Sequence, residues 1–278
     1  MTGFDPPRGA SGGSPGAGTW LYLSPHLDDV VLSCGGQIAR ATRAGTPVEI
    51  LTICAGDEPA RGAPVASPLV REIYTLWKLA PGEAMATRRR EDADAGRALG
   101  ARIRHWDLQE AIHRLDPESG RALYPSYAAL FGPIASGDET RIAELARRFA
   151  ELPGAATAAR LVSPLGIGGH ADHRLVRAAA ERAFGARLRY YEEFPYIVWK
   201  RFARLRAGIF GRSWEAMPEP LSGEDIAARI SAIGCYESQL PSLFRTPENL
   251  ERQVRRHVRR AGGERLWRRT GRERRPSR

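Results

Sequence analysis

Lysine is almost missing from this chain: only Lys78 and Lys200 occur, so that 40 of the 42 basic residues are arginine. The bias runs the whole length of the chain and reads as coding bias rather than as a binding signal. Cysteine is nearly as scarce. Cys34, Cys54 and Cys235 are odd in number and far apart, which excludes a disulfide framework and points to a reducing, cytoplasmic address. No run approaches the ~18 or more apolar residues of a membrane span. A basic segment followed by a hydrophobic one is lacking at the N-terminus, so no secretory signal is expected. No internal repeat is visible. Histidine, with six residues, is rare enough for its distribution to carry information.

What remains is the composition of a soluble α/β protein. The 278 residues, 42% of them hydrophobic, suffice for one large domain or two small ones with a sizeable core. Residues 1–18, mostly Gly, Pro and Ser, read as a disordered leader. Candidate strands at 20–23, 48–54 (apolar and β-branched), 102–108, 159–165 and 188–193 alternate with helical patterns at 30–44, 88–100, 141–152 and up to about 184. That alternation predicts a mostly parallel twisted sheet with helices on both faces. Two connections, 56–84 and 109–138, are too long for tight turns and are expected to be active-site loops. A short helix at 70–79 carries Tyr74 and Trp77, and Tyr124, Tyr127 and Phe131 are expected to be open to a ligand. Leu221–Gln239 is expected to be helical, with Asp225–Arg229 on a solvated face. Trp199, Phe202 and Trp214 read as core or lid packing.

Charge is concentrated at one end. Residues 251–278 hold twelve Arg and three Glu, or +9 of the formal +10. The body is close to neutral and is no nucleic-acid binder by bulk charge. Val254, Val258 and Leu266 look too few for a large core, so the segment reads as an Arg-rich tail, a solvated helix able to make weak contact with an anionic surface.

The chemistry lies in two turns. In Ser24-Pro-His-Leu-Asp-Asp29 a strand stops at Pro25, and His26, Asp28 and Asp29 arrive together before a helix. Adjacent carboxylates repel unless a cation neutralises them, and His with Asp is half a ligand set for a divalent metal, zinc above all. In Gly168-Gly-His-Ala-Asp-His173 the same order recurs: strand, glycine turn, then His and Asp at a helix start. His170 and His173 stand three apart, on one side of a turn entering a helix. Both turns belong at the carboxyl edge of the sheet, where open α/β folds bind ligands.

These motifs resemble the paired motifs of the PIG-L/LmbE family of zinc-dependent N-deacetylases. The similarity extends to Arg88-x-x-Glu91, Trp106-Asp107, Tyr190–Tyr196 and Tyr236-Glu-Ser-Gln239, and so covers about residues 19–240 in the family's order. It implies a Rossmann-like sheet, a Zn2+ cofactor and hydrolysis of an N-acyl group, usually acetyl on a glucosamine-type sugar. It further implies that His26, Asp29 and His173 bind the metal and that Asp28 is the general base. His170 would stabilise the oxyanion or protonate the amine, with Asp172 orienting a histidine, while Arg88 and Asp107 hold the sugar. Two positions depart from the pattern. Val30 replaces an acidic residue, which leaves the ligands intact, and Gly168 stands where some members have a tyrosine. Tyr74, Tyr124 or Tyr127 could supply that hydroxyl from a loop. Two rival readings use the same residues: a zinc amidase for another small amide, and a nonenzymatic sugar- or nucleotide-binding protein.

Overall fold

The apolar run that opens the domain forms strand β1 (Trp20–Ser24) in the computed structural model of the chain, which describes residues 18–59, 67–80, 82–199 and 213–270. The leader up to residue 17 and Phe202 lie outside the described residues. Side chains of β1 alternate between faces: Leu21 and Leu23 join one core, Tyr22 the other. Both faces are therefore covered. Parallel strands β2 (Val48–Thr52), β3 (Arg102–His105), β4 (Arg160–Pro164) and β5 (Leu188–Tyr191) complete a sheet that antiparallel β6 (Trp214–Glu219) and β7 (Glu264–Arg269) extend. The order is β3-β2-β1-β4-β5-β7-β6. Strand order reverses between β1 and β4, and in doubly wound sheets a crevice opens at the carboxyl ends of such a pair. The two histidine turns follow these two strands.

On one face α1 (Asp29–Arg43) packs with α3 (Ala84–Leu99) and α8 (Gly223–Gly234), and α10 (Pro247–Ala261) adds Leu250, Val254 and Val258 to the same core. On the other, α5 (Ser136–Ala150) and α6 (Ala171–Phe184) bury Phe149, Leu175 and Phe184. Over the carboxyl edge lie shorter pieces: α2 (Pro68–Trp77), α4 (Tyr127–Leu130), α7 (Tyr196–Trp199) and α9 (Leu240–Leu243). The two long connections are thus partly helical, and α3 starts at Ala84.

Two expectations change. Asp225 and Arg229 are not on a solvated face: they are 2% and 0% exposed. Arg229 donates to the carbonyl of Leu32 and lies 3.4 Å from Glu264. Residues 251–270 are not set apart as a tail either, because β7 runs between β5 and β6 with Leu266 fully buried, while residues 271–278 lie outside the described residues. Leu250, Val254 and Val258 recur every four residues and put one stripe of α10 into the core, while its arginines fan out on the other side. Glu264 accepts the amides of Gly36 (2.8 Å) and Gln37 (2.9 Å), so the last strand grips the middle of α1. This explains the Gly35-Gly36 pair. A Cβ on Gly36 would come within 2.6 Å of Leu221 and 3.0 Å of Glu264.

Candidate active site

Asp29 opens α1, and its Oδ2 accepts the backbone amide of His26 at 2.9 Å. That oxygen lies 3.1 Å from Nδ1 of His26 and 3.2 Å from Nε2 of His173, so the turn after β1 meets the turn after β4. Edges of a tetrahedral site with bonds of ~2.0–2.1 Å are about 3.3 Å long, and these separations match them. The outer ring nitrogens are held by other carboxylates. Nε2 of His26 is 2.9 Å from Asp172, and Nδ1 of His173 is 3.1 Å from Glu193. Each ring therefore turns its remaining nitrogen toward Asp29, the arrangement in which a carboxylate orients a metal-bound imidazole. Nε2 of His173 is buried and makes no hydrogen bond among the described residues. With Asp29 at 3.2 Å but not in hydrogen-bonding geometry, this buried nitrogen is poorly satisfied, which is costly. A divalent metal removes that cost, and the donor set of two imidazoles and a carboxylate suits zinc.

His26, His170 and His173 also bring ring nitrogens within 4.8 Å of one another. Asp29 is the better third ligand. Nδ1 of His170 is occupied as the N-cap acceptor of α6, taking the Asp172 amide at 3.2 Å. Its proton therefore sits on Nε2, and the ring is a neutral donor. Burial, followed by the neighbouring His26, pushes the His170 pKa well below its ordinary value. Of the two roles that the resemblance implies for His170, a neutral ring suits stabilising the oxyanion rather than protonating the amine.

Electrostatics separate the two aspartates. Burial would raise the Asp29 carboxyl, but the His173 and His26 rings outweigh it and hold it well below the usual range. For Asp28 burial wins, aided by the charge of Asp29, and the carboxyl is pushed up to about 7 against the pull of Arg88 and His26. Burial lowers both His26 and His173. Asp172 and Asp29 more than restore His26, and Asp29 with Glu193 brings His173 to about 9. A field that retains protons on these rings is one that attracts a dication.

Asp172 is fully buried between His26, the Ala111 amide (2.9 Å) and Arg114 (2.6 Å), and Arg114 is itself held by Asp138 (2.7 Å). Arg88 reaches the pocket from α3, paired with Glu110 and lying 4.5 Å from the Trp77 ring. Asp107 does not reach it. Strand β3 ends at His105, the backbone of Asp107 bridges to Cys54, and its 87% exposed carboxylate turns outward to Arg148. Glu110 lines the pocket in its place.

None of the three loop tyrosines lines the pocket that holds His26 and Asp29. Tyr74 contacts His113, buried Tyr124 bonds Asp138, and Tyr127 is exposed. Tyr196 lines the pocket instead, its ring edge-on to His173 at 5.7 Å. A Cβ on Gly168 would stand 2.9–3.1 Å from that ring, so glycine at 168 makes room for Tyr196. Sequence reasoning also passed over Glu193, Glu110 and Arg114. For Glu193 a signal existed, since it follows β5 at the same sheet edge as the two histidine turns.

Comparison with known proteins gives a consistent result. Residues 21–184 match the family model described as PIG-L, GlcNAc-PI de-N-acetylase. A 2'-N-acetylparomamine deacetylase of Niallia circulans is 29% identical over 235 residues, 81% of this chain and 82% of that protein. Its namesake from Streptomyces fradiae is 28% identical over 269 residues, covering 90% and 81%. Among solved structures, the zinc-inhibited form of teicoplanin deacetylase Orf2 superposes with a TM-score of 0.76 at 26% identity, over 92% of this chain and all (100%) of that one.

Proposed function

Because the chain belongs to the PIG-L family, described as GlcNAc-PI de-N-acetylase, we propose that it is a zinc-dependent hydrolase that removes an N-acetyl group from a glucosamine-type sugar conjugate. The observation that carries this reading is the meeting of His26, Asp29 and His173 at 3.1 and 3.2 Å, with Asp28 beside them in the same pocket. The relatives named above act on N-acetylated sugar conjugates, which supports the substrate class. The three free cysteines support a reducing, cytoplasmic address. Among the described residues no helix is long and apolar enough to cross a membrane.

When bound to His26, Asp29 and His173, zinc supplies a Lewis acid for the amide carbonyl and acidifies a water. Asp28, in the same pocket, takes the proton of the attacking water. His170, neutral and donating from Nε2, stabilises the negative charge that develops on the carbonyl oxygen. The proton held by Asp28 then passes to the departing nitrogen. Asp172 keeps His26 in register, Glu193 does the same for His173, and Arg88 offers hydrogen bonds to sugar hydroxyls.

The test is a screen of N-acetylated sugar conjugates for acetate and primary amine released in equal amounts. Equimolar release from at least one glucosamine conjugate supports the reading. Absence of release across the panel by folded, zinc-loaded protein contradicts it.

A further inference from the structure

Five large hydrophobic side chains are markedly exposed among the described residues, and four of them, Leu76, Tyr127, Val198 and Trp199, stand on three short helices at the pocket mouth. Isolated apolar residues on a surface are ordinary; their gathering at one opening is not. On α2, Leu76 follows the pocket-lining Ile73 by three residues and shares its side of the helix. Tyr127 on α4 stacks on Phe131 (6.4 Å, planes 17° apart), and Phe131 meets the His170 ring edge-on at 5.4 Å. Trp199 on α7 lies edge-on to Tyr196 at 6.2 Å. Ring contacts thus lead outward from His170 through Phe131 to Tyr127, and from His173 through Tyr196 to Trp199.

Charge points the same way. Of the carboxylates lining the pocket, Glu110 is taken up by Arg88 and Asp29 by the two histidines, which leaves Asp28 beside the reacting centre. With a divalent cation in place, the three acidic residues and one arginine of the lining balance to no net charge. On the rim itself Glu72 is exposed and accepts the Tyr127 hydroxyl at 3.4 Å, so a polyamine there would compete with that bond.

We infer that the sugar carries an aromatic aglycone, which packs on the rim formed by Leu76, Tyr127 and Trp199 while the N-acetyl group enters the pocket. The inference rests on the deacetylase reading for the position of the sugar, and names the class of group attached to it.

Three N-acetylglucosaminides differing only in aglycone, namely methyl, 2-phenylethyl and an aminocyclitol, are compared on zinc-loaded full-length protein. Turnover is followed by acetate release, and binding of the corresponding free-amine products by calorimetry. Burial of one phenyl ring is expected to raise kcat/KM and product affinity by about tenfold or more over the methyl glycoside. Trp199→Ser and Leu76→Ser, both at exposed positions, should bring that ratio toward one. Equal constants for methyl and phenylethyl glycosides, or preference for the aminocyclitol, would overturn the inference. If the phenylethyl product binds preferentially but no glycoside releases acetate, the rim assignment stands and the deacetylase reading fails.

Discussion

Nδ1 of His173 lies 3.1 Å from Oε1 of Glu193, so a carboxylate after β5 fixes a ring at the start of α6. The same carboxylate accepts the amides of Gly166 (2.6 Å) and Ile167 (3.1 Å), tying down the loop that carries His170. Loss of such an outer partner costs metal affinity without removing a ligand. Glu193→Gln is expected to weaken zinc binding roughly 10–100-fold. Competition with a chromogenic chelator measures it, and an unchanged affinity would deny Glu193 this role.

Adjacent aspartates are expected to behave differently. Asp28→Asn should retain about one zinc per chain and lose activity by ~10²-fold or more. Asp29→Ala should lose the metal itself, since its carboxylate stands between both histidines. Metal analysis of the two purified variants decides; the reverse pattern would exchange their roles.

Gly168→Ala places a methyl group 2.9–3.1 Å from the ring of Tyr196. Its backbone is not in the left-handed region, so the effect is steric alone. Zinc content should stay the same while turnover drops severalfold as Tyr196 is displaced from the pocket wall. Wild-type kinetics in this variant would show that the ring has no part in catalysis or binding.

Arg229 and Glu264, 0% and 1% exposed, form a buried pair clamped onto α1. Removing one partner leaves a buried charge, and Glu264→Ala should destabilise the protein by about 3–5 kcal/mol. Urea unfolding reads this directly. A loss under about 1 kcal/mol, the range of an exposed pair, would mean that water reaches the site.

That pair marks a limit of what the sequence revealed. Both histidine turns were readable because their strand, cap and ligand residues are neighbours in the chain, and the alternation of apolar runs conveyed the parallel sheet. Arg229 read as solvated because charge implies water, and only the third dimension supplies Glu264 opposite it. The arginines of α10 drew attention from the Leu250, Val254, Val258 stripe, which is what docks the helix. Asp107 matched a motif position, but its side-chain direction depends on where β3 ends, and strand ends are weakly encoded. Glu193 lay in a segment similar to the family, yet its contact with His173 depends on the order of β4 and β5 in the sheet.

The most direct test is a zinc titration of chelator-stripped protein, with acetate release from an N-acetylglucosaminide as the readout. Activity should rise in proportion to zinc up to about one equivalent, and His26→Ala, His173→Ala protein should neither bind that equivalent nor regain activity. Metal-stripped protein that turns over at the full rate, or a double variant that binds and responds like wild type, would contradict the assignment of His26, Asp29 and His173 as the metal site of a deacetylase.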